Sequence, residues 1–232
     1  MQGKLILIEG TDCSGKQTQT ELIVKRLNDD GIKAERLSFP MYDTPTGKII
    51  GGPYLGKEQI GESWFDEGAT NVNPKVAALY YAADRYYNLD KINNLLDNGI
   101  NVILDRYIPS NMAHQGGKIS NQEKRFEMYK WLDELEYQFL KLPKPDYSYL
   151  LYVPHEYAQN LRKNRVESLD AHERDESHLK QAERAYLEIS KLYNFQIINC
   201  IKDDKIKEIN DINNELYDDI YNKVNKINYQ KH

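Results

Sequence analysis

The residues most suited to chemistry form a glycine-rich segment near the N-terminus. It reads Gly10-Thr-Asp-Cys-Ser-Gly-Lys16, with the spacing G-x-x-x-x-G-K, between an apolar run and a helical pattern. Glycines let the backbone curl around an anion, so that successive N–H groups and the helix N-terminus face phosphate oxygens. The pattern predicts a phosphate-binding loop over residues 10–18, with Lys16 on the outer phosphates of a nucleotide. The predicted nucleotide-binding residues are Gly10, Thr11, Asp12, Cys13, Ser14, Gly15, Lys16, Gln17 and Thr18.

One position departs from the usual form of this loop. Gln17 follows Lys16, where Ser or Thr normally contacts Mg²⁺, and Thr18 lies one step further around the helix. The Gln17 amide could act on the metal through water, or Mg²⁺ could bind to the phosphates and to other carboxylates. Mg²⁺ is therefore expected as a cofactor, with direct coordination at Gln17 left open.

A second group of polar residues follows the third predicted strand. Asp105 ends the run 101–105 and Arg106 follows it, and open α/β sheets bind ligands at the carboxyl ends of their strands. Asp105 can hold Mg²⁺ directly or through water, and Arg106 can clamp a phosphate; a buried ion pair is the alternative. Tyr81 and Arg85 share one helix face, which suits stacking on a nucleobase and reading its carbonyl. Taken alone, tyrosines that pack this helix are the simpler interpretation.

The motifs distinguish three classes of nucleotide-binding protein. A GTPase needs N-K-x-D, and the nearest segment, residues 222–225, lacks the Asp. A motor-type ATPase usually has Glu after the carboxylate that ends the third strand, whereas Arg106 follows Asp105 here. A small-molecule kinase needs cations for a second phosphate, because phosphoryl transfer depends on positioning and charge neutralisation. The sequence therefore favours a small-molecule kinase.

Alternating strands and helices must position these residues. Apolar runs predict five strands, over residues 4–9, 33–39, 101–105, 147–153 and 195–199. Besides the helix after the loop, the spacing predicts helical segments over residues 74–98, 121–140, 155–193 and about 203–229. Residues 41–74 are predicted to be irregular. The alternation predicts a single α/β domain over residues 1–232, of the P-loop nucleoside triphosphate hydrolase type, with a five-stranded parallel sheet flanked by helices on both faces.

Composition excludes several classes of function. The chain has 232 residues and a net charge of −5, which argues against sequence-independent binding to nucleic acid. Its apolar runs are far shorter than the roughly 20 residues of a membrane helix, and Glu9 comes too early for a signal peptide. Cys13 and Cys200 do not make a disulfide framework. We expect a cytoplasmic protein with small-molecule partners and no nucleic acid or membrane.

Four motifs together resemble the thymidylate kinase family of nucleoside monophosphate kinases, over about residues 4–200. They are the loop at 9–19, Phe39-Pro40 after the second strand, Leu79-Tyr-Tyr-Ala-Ala-Asp-Arg85, and the segment 105–117. Each motif alone is modest, but the ordered set is specific. The resemblance implies transfer of the γ-phosphoryl group of ATP to thymidine monophosphate, with Mg²⁺ as cofactor, and a homodimer built on the long helix.

The resemblance also implies roles in an acceptor-binding segment over about residues 39–115. Asp12, from the loop, should touch the sugar 3′-hydroxyl. Phe39 and Tyr81 should hold the base between them, with Arg85 on its O4. Asn111 should lie near the base or sugar.

At other positions of the acceptor site, the sequence partly matches the family pattern and partly differs from it. Arg106 should bridge the acceptor and donor phosphates. Tyr42 stands where many relatives have an arginine for the acceptor phosphate, and it could donate one hydrogen bond without bringing charge. His114 stands where some members have an aromatic residue that excludes a ribose 2′-hydroxyl. With a segment at 51–73 that looks longer than usual, these differences leave the base and sugar preference open.

The segment over about 160–176 resembles the mobile lid of the family. Cys13 and Ser14 bring no charge to the loop, which resembles the subgroup in which lid arginines supply charge in the transition state. Arg162 and Arg165 are the corresponding lid residues. The residues expected to take part in catalysis are Lys16, Asp105, Arg106, Arg162 and Arg165.

Alternative functions remain. One is a kinase for another deoxynucleoside monophosphate or for a deoxynucleoside. A deoxynucleoside kinase needs a carboxylate base, commonly just after the second strand, and Asp43 is the near candidate. Another is a nucleotide-binding regulator that has lost catalysis, which Gln17 and the missing phosphate arginine would favour.

Overall fold

A central parallel sheet positions the ends of the predicted motifs at one edge. The computed structural model describes residues 2–162 and 175–225, and within them five strands form a parallel sheet in the order β2-β3-β1-β4-β5. The strands are β1 (Leu5–Gly10), β2 (Ala34–Ser38), β3 (Asn101–Asp105), β4 (Tyr147–Tyr152) and β5 (Gln196–Asn199). With helices on both faces, this arrangement confirms the predicted α/β fold of the P-loop type.

The strand register explains why distant motifs meet. β1 is buried along its whole length, as expected for the middle strand of a sheet covered on both faces. Asp105, at the end of β3, is level with Ile8 of β1 and with Ser38 of β2. The glycine-rich loop, Arg106 and Phe39, which follow these strands, therefore start from the same sheet edge.

Helices cover the two faces with separate cores. Leu5 and Leu7 of β1 point into one core, and Ile6 and Ile8 point into the other, which also contains residues of the first and last helices. The helices are α1 (Lys16–Asp29), α2 (Pro45–Ile49), α3 (Pro74–Tyr87), α4 (Leu89–Asp97), α5 (Ile108–Asn111), α6 (Gln122–Asp133), α7 (His155–Arg162), α8 (Glu176–Leu192) and α9 (Ile209–Asn225). Within the described residues, none of the helices is both long and apolar enough to cross a membrane.

Two predicted elements differ in the structure. The helix predicted over 74–98 is split into α3 and α4 at Asn88, whose side chain donates to the carbonyl of Asp84 at 2.8 Å; such local side-chain bonds compete with a continuous helix. The predicted irregular segment contains α2, a π-helical turn (Ile50–Tyr54) and a small apolar core around Tyr54.

The C-terminal region also starts differently from the prediction. Asp203 and Asp204 both have positive φ and form the turn between two short antiparallel strands, β6 (Ile201–Lys202) and β7 (Lys205–Ile206). α9 therefore begins at Ile209 rather than near residue 203. It is described to Asn225, and the predicted remainder, up to about residue 229, lies outside the described residues.

Candidate active site

The glycine-rich loop connects β1 to α1 in a conformation that its sequence requires. A Cβ atom on Gly10 would lie 2.3 Å from Oγ of Ser14, and Gly15 has a φ of 71°, a left-handed conformation that favours glycine. The Thr11 hydroxyl donates to the Val153 carbonyl at 2.7 Å and accepts its N–H at 2.8 Å. The loop is therefore fixed to the end of β4 as well as to β1.

Lys16 is buried at the start of α1 and is folded over the loop. Its Nζ donates to the carbonyl of Gly10 at 3.0 Å and to that of Thr11 at 3.3 Å, and lies 3.4 Å from Oγ of Ser14. Burial, together with the nearby charge of Arg106, lowers the pKa of Lys16 to about 8. The lysine is held at the loop that it would complete when a phosphate binds.

The carboxylate oxygens near Lys16 suit Mg²⁺ as ligands, whereas the Gln17 side chain is bonded to a neighbouring residue of α1. Gln17 is exposed and donates to Glu21 at 3.0 Å. The carboxylates of Asp105 and Asp12 both act electrostatically on Lys16. No cluster of three or more His, Cys, Asp or Glu that could hold a metal occurs among residues 2–162 and 175–225. One or two carboxylates combined with nucleotide phosphates is the usual environment of Mg²⁺.

Arg36 is a residue of this edge that the sequence did not single out. Its guanidinium forms an ion pair with Asp105, and its Nε donates to the Thr20 hydroxyl at 2.7 Å. The position of Arg36, two residues before the end of β2, could have indicated a role at this site, because β2 and β3 end at the same edge of the sheet. Asp105 is thus already paired with a cation, as in the buried ion pair considered as an alternative.

A cavity opens beside the loop, at the carboxyl ends of β1, β2 and β3. Gly10, Thr11 and Asp12 border it, and α8 contributes Ala182 and Tyr186 to the opposite wall. The structure brings together in this lining every residue predicted to bind the acceptor: Asp12, Phe39, Tyr42, Tyr81, Arg85, Arg106, Asn111 and His114.

Aromatic neighbours support the two rings that were predicted to hold a base. The Phe39 ring centroid is 5.9 Å from that of Tyr107. Tyr81 lies edge-on against Tyr54, with 5.8 Å between their centroids. Tyr54 comes from the π-helical turn after α2, so the segment that looked longer than usual supports the cavity wall.

Tyr42 stands beside a cation from that same segment. The Nζ of Lys57 lies 5.0 Å from the centroid of the Tyr42 ring. Asp84 holds the chain next to this position, accepting the N–H of Met41 at 3.0 Å and the hydroxyl of Thr46 at 2.8 Å. Tyr42 therefore has a fixed backbone and a neighbouring positive charge.

Arg85 faces the cavity from a buried ion pair. It is 2% exposed, and its Nε and Nη2 donate to the Glu136 carboxylate at 2.5 and 2.7 Å. Asn111 donates to the same carboxylate at 3.1 Å. Nothing in the sequence pattern indicated Glu136, which lies in a π-helical turn after α6. The pair fixes the guanidinium that was predicted to read a base carbonyl.

Two buried amides in the lining have unused hydrogen-bonding atoms. Among the described residues, Oδ1 of Asn111 and both amide atoms of Gln115 have no hydrogen-bond partner. Buried polar groups in folded proteins are nearly always paired, so these atoms indicate a place for a polar ligand. Gln115 belongs to the segment 105–117 used for the family resemblance but was not selected.

A buried carboxylate, Glu9, fixes the backbone that follows Arg106, and the sequence pattern did not indicate this role. Glu9 accepts the N–H groups of Tyr107 and Ser110, both at 2.9 Å, and burial raises its pKa. Arg106 has a φ of 66°, and its Nη1 lies 3.4 Å from the hydroxyls of Ser110 and Tyr186. Although burial opposes it, Tyr186, Glu9 and Asp105 raise the pKa of Arg106, which stays charged.

Most of the predicted lid lies outside the described residues. Arg162 is the last residue of α7, and nothing is described of its side chain. Arg165 and residues 163–174 of the predicted lid lie outside the described residues.

The sheet, the loop at the end of β1 and the adjoining cavity define a P-loop enzyme of the phosphoryl-transferring class. The sequence model of the family described as "Thymidylate kinase" matches residues 8–211 of this chain. This chain therefore belongs to the thymidylate kinase family. As a member, it is a phosphotransferase with ATP as donor and thymidine monophosphate as acceptor.

Individual relatives agree with this assignment. A thymidylate kinase of Plasmodium falciparum is 31% identical over 159 residues, which are 68% of this chain and 66% of that protein. A thymidylate kinase of Schizosaccharomyces pombe is 28% identical over 226 residues, covering 95% and 93%. The solved structure of thymidylate kinase from Candida albicans superposes with a TM-score of 0.72 at 26% identity, covering 96% of this chain and 92% of that one.

Proposed function

We propose that the cavity holds thymidine monophosphate while the loop over residues 10–18 holds the phosphates of ATP. The observation that carries this proposal is the cavity lining, which unites residues from four separate motifs and includes Gly10, Thr11 and Asp12 of the loop. An acceptor in this cavity has its phosphate end next to the loop. Transfer then needs no movement of either substrate between sites.

The base end of the cavity suits thymine. Phe39 and Tyr81 provide flat apolar surfaces, and Arg85 provides a fixed cation for a carbonyl. Gln115 has both a donor and an acceptor without partners among the described residues, which complements the neighbouring N3–H and carbonyl oxygen of thymine. Discrimination against cytosine arises because the Arg85 guanidinium can only donate and therefore requires a base carbonyl, whereas uracil presents the same edge as thymine.

The phosphate end of the cavity supplies positive charge. Lys16 and Arg106 neutralise the transferred group, and lid residues Arg162 and Arg165 add charge in the transition state. Asp105 and Asp12 would hold Mg²⁺, directly or through water, and the metal would supply positive charge at the donor phosphates. The acceptor phosphate is already ionised, so the transfer requires no general base.

A homodimer and a cytoplasmic location complete the proposal. Val76, Leu79 and Tyr86 form an exposed apolar stripe on α3, at the i, i+3 and i+10 positions of one helix face. A second copy of the chain covers this stripe in the proposed dimer. Cys13 and Cys200 are free thiols, which suits a reducing compartment.

The test is coupled ADP release with Mg-ATP and a panel of acceptors: thymidine monophosphate, deoxyuridine monophosphate, the other monophosphates and thymidine. We expect the highest kcat/KM with thymidine monophosphate, and its loss in Arg106→Ala. Activity confined to thymidine would instead support a deoxynucleoside kinase. Tight ATP binding without any turnover would support a regulator.

A further inference from the structure

Two histidines connect the acceptor cavity to the first turn of α8. His114 borders the cavity, and His178, which is 3% exposed, follows the Asp175 N-cap of α8. Nδ1 of His114 is 3.1 Å from Nε2 of His178, and the ring centroids are 5.3 Å apart at an interplanar angle of 25°. The centroid distance exceeds the N···N distance by about two ring radii, so the rings meet edge to edge, as an N–H···N hydrogen bond requires.

Arg106 fixes the protons of this pair. Nε2 of His114 lies 3.4 Å from Nη1 of Arg106, and a guanidinium has no acceptor, so this nitrogen must accept. The proton of neutral His114 is then on Nδ1, which donates to Nε2 of His178. His178 in turn carries its proton on Nδ1. The hydrogen bonds run in one direction, from Arg106 through His114 to His178.

The surrounding charges make the pair sensitive to protonation. A proton on Nε2 of His114 would place a second cation and an opposing N–H against Arg106. A proton on Nε2 of His178 would force His114 to reverse its own donor. Among the described residues, the other titratable groups that face Arg106 and the two rings are Glu9, Lys16, Tyr42, Asp105, Tyr186 and Asp175.

We propose that His178 is a positioning residue for phosphoryl transfer, acting through His114 on the guanidinium of Arg106, and that both rings must be neutral for it to act. The same contact ties the N-terminal turn of α8 to the acceptor site, so the α8 wall and Arg106 keep one relative position. This inference rests on the proposed role of Arg106 at the acceptor phosphate.

The most specific readout is the tautomeric state of the two rings. Long-range ¹H–¹⁵N correlation spectra of the full chain at pH 7.5 report it, with His114→Gln and His178→Gln used for assignment. We expect both rings to be neutral with the proton on Nδ1, which is the less common tautomer of free histidine. A charged ring, or His114 protonated on Nε2, would overturn the proposal. Because this readout needs no turnover, it is independent of whether the proposed function is right.

Substitutions at His178 then test positioning. In His178→Gln the amide oxygen can still accept from His114, whereas His178→Phe keeps a ring but has no acceptor. We expect kcat/KM for thymidine monophosphate to fall about tenfold in the Phe variant, with KM for ATP nearly unchanged, and to stay near wild type in the Gln variant. His155→Phe, on α7 and outside the pair, is the control. If the Phe and Gln variants lost activity equally, or if both kept it, positioning by hydrogen bonding would be contradicted.

The pH dependence separates positioning from mere packing. As the pH falls through the ordinary histidine pKa of about 6.5, wild-type kcat should decline more than that of a His114→Gln/His178→Gln double variant. Ionisation of the substrate phosphates is common to both proteins and cancels in the comparison. Parallel profiles would contradict the requirement for neutral rings.

Discussion

The donor side and the acceptor side of this site are built in different ways. The loop takes its shape from contiguous residues, which include Gly10, where a Cβ atom would clash, and Gly15, where φ is positive. The acceptor cavity takes its shape from pairs distant in sequence, such as Arg85 with Glu136, 51 residues apart. A contiguous motif can be recognised from residue spacing alone, whereas a paired wall depends on the complete fold.

The difference also concerns how charge is stored. On the donor side, Lys16 is bonded to the loop's own carbonyls and can exchange these contacts for phosphate. On the acceptor side, Arg85 is locked in a buried carboxylate pair. We infer that donor-side changes affect chemistry most, whereas acceptor-side changes affect substrate affinity and stability together.

The largest effect is expected from Lys16→Met, which removes the loop cation but keeps most of the side-chain volume. We expect kcat to fall about 10³-fold, because groups that stabilise transition-state charge have effects of this order. Coupled ADP release with thymidine monophosphate measures it. Lys25→Met, at an exposed pair with Asp29 further along α1, is the matched control and should retain full activity. A fall of less than tenfold in Lys16→Met would contradict a donor site at the loop.

Glu136→Gln breaks the acceptor-side pair with almost no change in shape. Leaving the Arg85 charge buried without its partner should lower the free energy of unfolding by about 3–5 kcal/mol. KM for thymidine monophosphate should rise, with KM for ATP unchanged. Denaturant unfolding and steady-state kinetics measure the two effects.

Glu188→Gln provides a control for that prediction. Glu188 pairs with Arg125 at 2.6 Å, away from the cavity lining. This variant should also lose stability but keep its KM for thymidine monophosphate. If both variants raised KM alike, the effect would come from general destabilisation rather than from the acceptor site.

Gln115→Leu tests whether the unused amide reads the base. Replacing a buried amide that lacks partners by an apolar group of similar size should leave stability unchanged or raise it. The affinity for thymidine monophosphate, measured by calorimetry, should fall about tenfold. An unchanged affinity would place the base elsewhere in the cavity.

The smallest effect is the pH dependence of ATP binding to the protein without acceptor. Because the pKa of Lys16 is lowered to about 8, its charge is present below that pH and is lost as the pH rises through it. ATP affinity should therefore fall about fourfold between pH 7 and 8.5. Lys16→Arg, whose guanidinium stays protonated, should bind with no such fall. A flat profile for the wild type would show that Lys16 remains charged.

The sequence predicted the features that depend on contiguous residues and missed those that depend on partners distant in sequence. The order of strands and helices could be predicted, because β1 is apolar on both faces and glycines or prolines separate the elements. The break at Asn88 could not, since it depends on a side chain competing for one carbonyl. Glu136 and Arg36 were missed for a similar reason: a charged residue in a helix or strand shows its role only when the fold supplies its partner.

The central claim is that the donor site at the loop and the acceptor site in the cavity adjoin one another. The most direct test is calorimetric binding of an adenosine–thymidine analogue whose two nucleosides are joined through their 5′ positions by a chain of phosphates. Adjoining sites predict that this analogue binds far more tightly than either ATP or thymidine monophosphate, because its second half binds without a further loss of translational freedom. In Gln115→Leu that advantage should shrink. An analogue that binds no more tightly than ATP alone would contradict the account.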